Sequence, residues 1–120
     1  MSKTVRIVLE KDAREAYLSL QAVTKEEKDR GMSNSENQQL LRSIDQKVGL
    51  LKVNPASGIK ISKKLYPKEY AGLTNLWKVN LTRYWRMLYT LQSSEVEIVG
   101  FILEIIDHEK YDKLFGYRKK

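Results

Sequence analysis

The sequence predicts a single α+β domain over residues 1–120, with an antiparallel-rich sheet and a helical hairpin packed on one face. Three observations carry this expectation. A short stretch near the N-terminus alternates with the period of a strand. Two long stretches after it have helical period. Three stretches in the second half alternate again. The expected order is β-α-α-β-β-β.

Thr4 to Leu9 is the first strand: Val5, Ile7 and Leu9 fall on one side, Thr4 and Arg6 on the other. Asp12, with Glu15 three residues on, resembles a capping box and is expected to open the first helix. Ala13, Tyr17, Leu20 and Val23 give that helix an apolar face. Asp29 to Ser35 reads as a loop, and Ser33 with Glu36, or Ser35 with Gln38, can cap the second helix. Leu41, Ile44, Val48 and Leu51 mark its apolar face, and Pro55 and Gly58 end it. Lys60 to Leu73 is basic and contains Pro67 and Gly72; it reads as an irregular loop or a short strand. From Leu76, Trp77, Val79 and Leu81 alternate with Lys78 and Asn80. Thr82 and Arg83 form a tight turn, and a strand with Trp85, Met87, Tyr89 and Leu91 on one side follows. Gln92 to Glu95 is a polar hairpin turn. Val96 to Ile106 is apolar on both faces, as a central strand covered on both sides would be. Trp77 and Trp85 are expected in the packing between layers.

Composition narrows the function. The chain has no cysteine, one histidine and a formal net charge of +7. These counts argue against a disulfide framework, a thiolate zinc site or a conventional nucleophile–histidine pair. There is no glycine-rich phosphate loop and no continuous basic recognition helix, and the carboxylates are scattered. The charge is uneven. From Lys60 to Arg86 there are seven cations (Lys60, Lys63, Lys64, Lys68, Lys78, Arg83, Arg86) and one acid, Glu69. Such a segment points to a polyanionic partner. Met1 to Val5 lacks the apolar stretch of a signal peptide, and Ile98 to Leu103 is too short to span a bilayer. The expectation is a soluble cytoplasmic protein with no membrane partner.

The stretch from Leu76 to Leu91 (LWKVNLTRYWRMLYTL) resembles the middle of RelE/ParE-superfamily toxins, in which an apolar-basic strand, a short turn, an Arg and a hydrophobic-Tyr strand follow one another. The last strand of that family ends in a polar cluster, here Asp107 to Tyr111. The order of elements also agrees, so the resemblance covers nearly the whole chain. Two features depart from the family pattern. Asn80 stands where some members have a second cation, and the His108-to-Tyr111 spacing is tighter than in many relatives.

The resemblance implies the toxin of a toxin–antitoxin pair, bound by a cognate antitoxin that covers the basic surface or inserts a helix at the sheet edge. Its RelE-like branch implies a metal-independent mRNA interferase that cleaves mRNA on the ribosome without a cofactor. Its ParE-like branch implies a DNA gyrase inhibitor instead. A non-catalytic RNA-binding member of the fold is the third alternative. By position, the resemblance assigns Lys78, Arg86, His108 and Tyr111 to catalysis. Lys60, Lys63, Lys64, Asn80, Arg83 and Arg118 are the candidate RNA-binding residues.

Metal-free RNA cleavage needs a base for the 2′-hydroxyl, a cation for the phosphate and an acid for the leaving 5′-oxygen. His108 suits either proton role near neutrality. The other falls to Lys78 with a depressed pKa, to Tyr111 or to Asp107. Arg86 suits the phosphate through its planar fork; the bland alternative is an ion pair with Glu104 or Glu97. Tyr111 can instead stack on a base, or merely anchor a terminal helical turn with Phe115, four residues on.

Overall fold

The computed structural model describes residues 3–116, so Arg118 lies outside the described residues. Its elements are β1 (Thr4–Leu9), α1 (Lys11–Asp29), α2 (Glu36–Val53), β2 (Ile59–Lys60), β3 (Trp77–Asn80), β4 (Arg86–Ser93), β5 (Glu97–Ile106) and α3 (His108–Phe115). The sheet order is β1-β5-β4-β3-β2. β1 runs parallel to β5, pairing from Thr4↔Glu97 to Leu9↔Ile102. The remaining three pairings are antiparallel. The helical hairpin carries the chain away from edge strand β1, and the meander β2 to β5 brings it back to β1's side. This is the α+β architecture the sequence predicts, with two additions: the two-residue β2 and the C-terminal helix α3.

Local chemistry sets the helix ends. The Ser35 side chain accepts from Gln38 N and the Gln38 side chain reaches back to Ser35 N, which is the second of the two capping boxes weighed from the sequence. α1 starts one residue before the expected Asp12 cap. Glu10 is its N-cap, with no side-chain bond, and Asp12 falls in the first turn, where a carboxylate suits the helix dipole. The Tyr17 hydroxyl donates to Asp45 at 2.6 Å and ties the two helices together.

One face of the sheet buries the main core, in which Ala13, Leu40 and Ile44 of the hairpin pack on Val79, Met87, Tyr89, Ile102 and Ile105. Leu40, not Leu41, is the buried member of its pair. Ile102 and Ile105 are three apart, yet both enter this core. The β4–β5 register shifts between Leu88 and Tyr89, so Leu88 faces Glu104 while Tyr89 faces Ile102. The extra residue on β5, Leu103, restores the alternation on the far side of the bulge.

The other face is not the bare charged surface that a two-helix layout suggests. A second apolar cluster of Ile61, Leu76, Leu88, Ile106 and Tyr111 sits there, roofed by the segment 61–73 and by α3. That segment contains two 3₁₀ turns, Lys63–Leu65 and Lys68–Tyr70, which fold Tyr66, Tyr70 and Leu73 inward while the lysines stay out. β5 is therefore apolar on both faces because both are covered. Among the described residues no helix is long and apolar enough to cross a membrane.

Tyr89 joins β4 to the end of α2. It is 0% exposed, its hydroxyl donates to Pro55 O at 2.8 Å, and it accepts from Gly58 N at 3.1 Å. A Cβ at Gly58 would lie 2.5 Å from that hydroxyl and 2.8 Å from Lys78 O, so only glycine fits. Tyr89→Phe leaves two partly buried backbone groups without this partner and is expected to lower the unfolding free energy by about 1 kcal/mol in urea titration. An unchanged midpoint would show that water replaces the hydroxyl without cost.

Candidate nucleic-acid interface

The site forms where β3, β4 and α3 meet on the second face. Lys78 and Asn80 alternate with the core residues Trp77 and Val79, and so point to that face. Arg86 opens β4 directly opposite Asn80, and Lys78 faces Leu88 two pairs further along. On the other side of Arg86 is Ile106, the last residue of β5. Asp107 then turns the chain, its Oδ1 accepting from Lys110 N at 2.9 Å, and α3 begins at His108. One helical turn later Tyr111 drops onto the sheet.

Tyr111 organises the cluster. It is 3% exposed, and its ring stacks on Phe115 with centroids 4.4 Å apart. Lys78 Nζ and Arg86 Cζ each lie 5.1 Å from the centre of the same ring. One aromatic group thus holds two cations side by side, each drawn by the ring quadrupole. The expected anchoring contact with Phe115 is therefore present. In this conformation the covered ring is a platform for the two cations.

Arg86 pairs with neither expected carboxylate. Glu97 binds Arg6 at 3.3 Å, and Glu104 accepts from the Tyr70 hydroxyl. Arg86 Nη1 donates instead to Tyr84 O at 2.6 Å. Its Nε is buried and has no hydrogen-bond acceptor among the described residues, which is uncommon for a buried donor. No ion pair of the described residues involves Lys78 or Arg86. Lys78 accordingly has its pKa lowered from the ordinary ammonium value, first by burial and then by the Arg86 charge.

His108 is exposed at the start of α3, with its ring 6.0 Å from that of Tyr84 and inclined at 65°. Tyr84 in turn carries the carbonyl that Arg86 binds. Lys78, Arg86, Tyr111 and His108 thus form one chain of contacts, with Tyr84 as the link. Asn80 is exposed beside them.

The remaining basic candidates spread out. Lys60 sits over Trp77, 5.9 Å from the ring, toward the helix-covered face. Lys63 lies 5.4 Å from the Tyr66 ring and donates to Leu73 O at 2.9 Å. Lys64 is exposed on the same 3₁₀ turn. Arg83 pairs with Glu36 at 3.5 Å on the α2 side of its turn. Trp77 stacks on Tyr89 with centroids 5.9 Å apart, and Trp85 packs against the main core, as layer-packing residues do. Tyr84 was not among the sequence candidates. Its alternation with Trp85 reads as strand, and no glycine or asparagine marks the turn in which it sits.

The cluster offers an arginine and a lysine side by side, the lysine with a pKa lowered by burial and by Arg86, and a solvent-exposed imidazole. Lys78→Met should reveal the cost of this arrangement. The folded state disfavours the charged amine, so the site destabilises the protein below Lys78's depressed folded pKa. That penalty is lifted as pH rises through the folded pKa toward the ordinary unfolded value of about 10.4. The variant is therefore expected to melt no lower than wild type at pH 7, and any advantage should vanish near that upper limit. A Tm clearly below wild type at pH 7 would mean that the cation–ring contact outweighs the burial cost.

Among solved structures, the chain is similar to a YoeB/ParE toxin from Agrobacterium tumefaciens, with a TM-score of 0.57 and 14% sequence identity. The likeness covers 86% of this chain and 98% of that one, and at this identity it shows the fold. No family model and no curated protein matches the sequence.

Proposed function

We propose that this chain is the toxin of a toxin–antitoxin pair and acts as a metal-independent endoribonuclease on ribosome-bound mRNA. The observation that carries the reading is the Lys78–Arg86 pair, held on one ring with no carboxylate partner among the described residues, beside the exposed His108. A phosphodiester supplies the missing anion. In this reading Arg86 binds the non-bridging oxygens and stabilises the charge that grows on them. The depressed pKa favours Lys78 as the base that takes the 2′-hydroxyl proton. The bond from that oxygen to phosphorus forms as the bond to the 5′-oxygen breaks. His108, as imidazolium, protonates the leaving 5′-oxygen.

The other two proton-transfer candidates are less suitable. Asp107 is engaged as the α3 cap, and the Tyr111 ring is covered. The RNA-binding roles of Asn80, Lys63, Lys64 and Arg83 belong to the same reading. They would extend the positive field along the flanking nucleotides. An antitoxin with an acidic, partly disordered segment suits the charge of the Lys60–Arg86 region and would fold as it binds.

The biological test is induction in a bacterial host. Expressed alone, the chain should arrest growth. Co-expression with the neighbouring short reading frame of its own genome should restore growth and yield a stable complex. A harmless chain that captures no such protein would overturn the toxin assignment.

A further inference from the structure

The β3–β4 turn carries a residue that the fold does not need for packing. Arg83 (φ 57°, ψ 35°) and Tyr84 (φ 64°) are both left-handed. Hairpins normally fill two such positions with Asn and Gly, because a Cβ is strained there. Tyr84 is nevertheless 73% exposed, so its ring gives the core little in return. The turn is held from behind. Arg83 pairs with Glu36 at 3.5 Å, and Thr82 N donates to Ser43 Oγ at 3.1 Å, both partners being on α2. It is held in front by Arg86, whose Nη1 binds the Tyr84 carbonyl at 2.6 Å. Strained backbone fixed on both sides and presenting an exposed aromatic is an arrangement that clusters at functional sites.

We infer that Tyr84 is the base-stacking platform of this site and selects single-stranded RNA. The inference rests on the proposed RNA-cleaving reading. Arg86 connects the two subsites. The guanidinium that would hold a phosphate also fixes the backbone of the residue that would hold the adjoining base. The Tyr84 ring lies 6.0 Å from that of His108, so a base stacked on it adjoins the proton-transfer group. Every base has a face to stack, but in a duplex those faces are occupied by neighbouring pairs. A stacking platform here therefore admits unpaired nucleotides. It replaces Tyr111, whose covered ring cannot take that part in this conformation.

The test uses a single-stranded oligoribonucleotide containing 2-aminopurine, whose fluorescence is quenched by stacking. Wild type should bind and quench it, and Tyr84→Phe should do both equally well. Tyr84→Asn keeps a residue that tolerates the left-handed turn, so its Tm should equal or exceed that of wild type. It should lose the quench and bind about 5- to 150-fold more weakly. Binding to the same sequence as a duplex should not depend on position 84. If Tyr84→Asn retains both quench and affinity while Arg86→Ala weakens binding, the stacking role is wrong and the phosphate site stands. If neither substitution changes binding, or wild type does not bind, the RNA-site reading falls and the Tyr84 role falls with it.

Discussion

His108→Ala is expected to slow mRNA cleavage by about 10²- to 10⁴-fold, the range for loss of a positioned proton-transfer group. His108 is the only histidine in the chain, so no second imidazole can take over. It is exposed at the first position of α3, and the cap of that helix is Asp107. The substitution removes no core contact, and the Tm should stay within about 2 °C of wild type, as for other surface changes. His108→Gln tests the assignment further, since it keeps hydrogen bonding and loses titration. If the glutamine variant cuts as slowly as the alanine variant, proton transfer is the lost function. A fast alanine variant would remove His108 from the mechanism.

Arg86→Ala is expected to cost about 10²- to 10³-fold in cleavage, because in the proposed mechanism the guanidinium stabilises charge that develops only in the transition state. Arg86→Lys should rescue little, since a point charge cannot reproduce a planar fork. The alanine substitution loses the bond to Tyr84 O and the contact with the Tyr111 ring. It also removes a buried Nε with no acceptor among the described residues and a like charge beside Lys78, so its stability gains and losses oppose each other. Activity should therefore fall without a matching fall in stability. It also leaves the Lys78 amine without the charge that helps depress its pKa. Any residual rate should rise with pH over a higher range than in wild type. Equal losses of activity and stability in Arg86→Ala would instead mark Arg86 as a structural residue.

Much of the fold was legible because its signals are local. The alternation of Trp77, Val79, Met87 and Tyr89 survives intact, since each is one half of a plain antiparallel pair. The Ser35–Gln38 box is encoded within four residues. What the sequence hides depends on tertiary context. The bulge that puts Ile102 and Ile105 on the same face has no residue signature. α3 is eight residues long, too short for a helical period to stand out. The lysines of segment 61–73 mask Ile61, Tyr66 and Leu73, whose burial requires a sheet face to cover.

The candidate site shows the same division. Lys78, Arg86 and His108 are candidates from residue type and family resemblance, and the fold brings them near one another through Tyr111 and Tyr84. Tyr111 is a candidate for chemistry in the sequence; in the structure its ring is covered and lies against Lys78 and Arg86. Tyr84 was passed over because its left-handed backbone is imposed by how the hairpin closes and is held against α2. Pattern reading sees only an aromatic in register with a strand.

Primer extension on mRNA in a translating extract tests the central claim most directly. The account predicts new 5′ ends within codons that appear only with wild-type protein, persist when EDTA is added at a level that leaves ribosomes intact, and are lost with His108→Ala. An extract in which wild type cuts no message while the protein stalls DNA gyrase would contradict it, and would assign the same fold to gyrase inhibition instead.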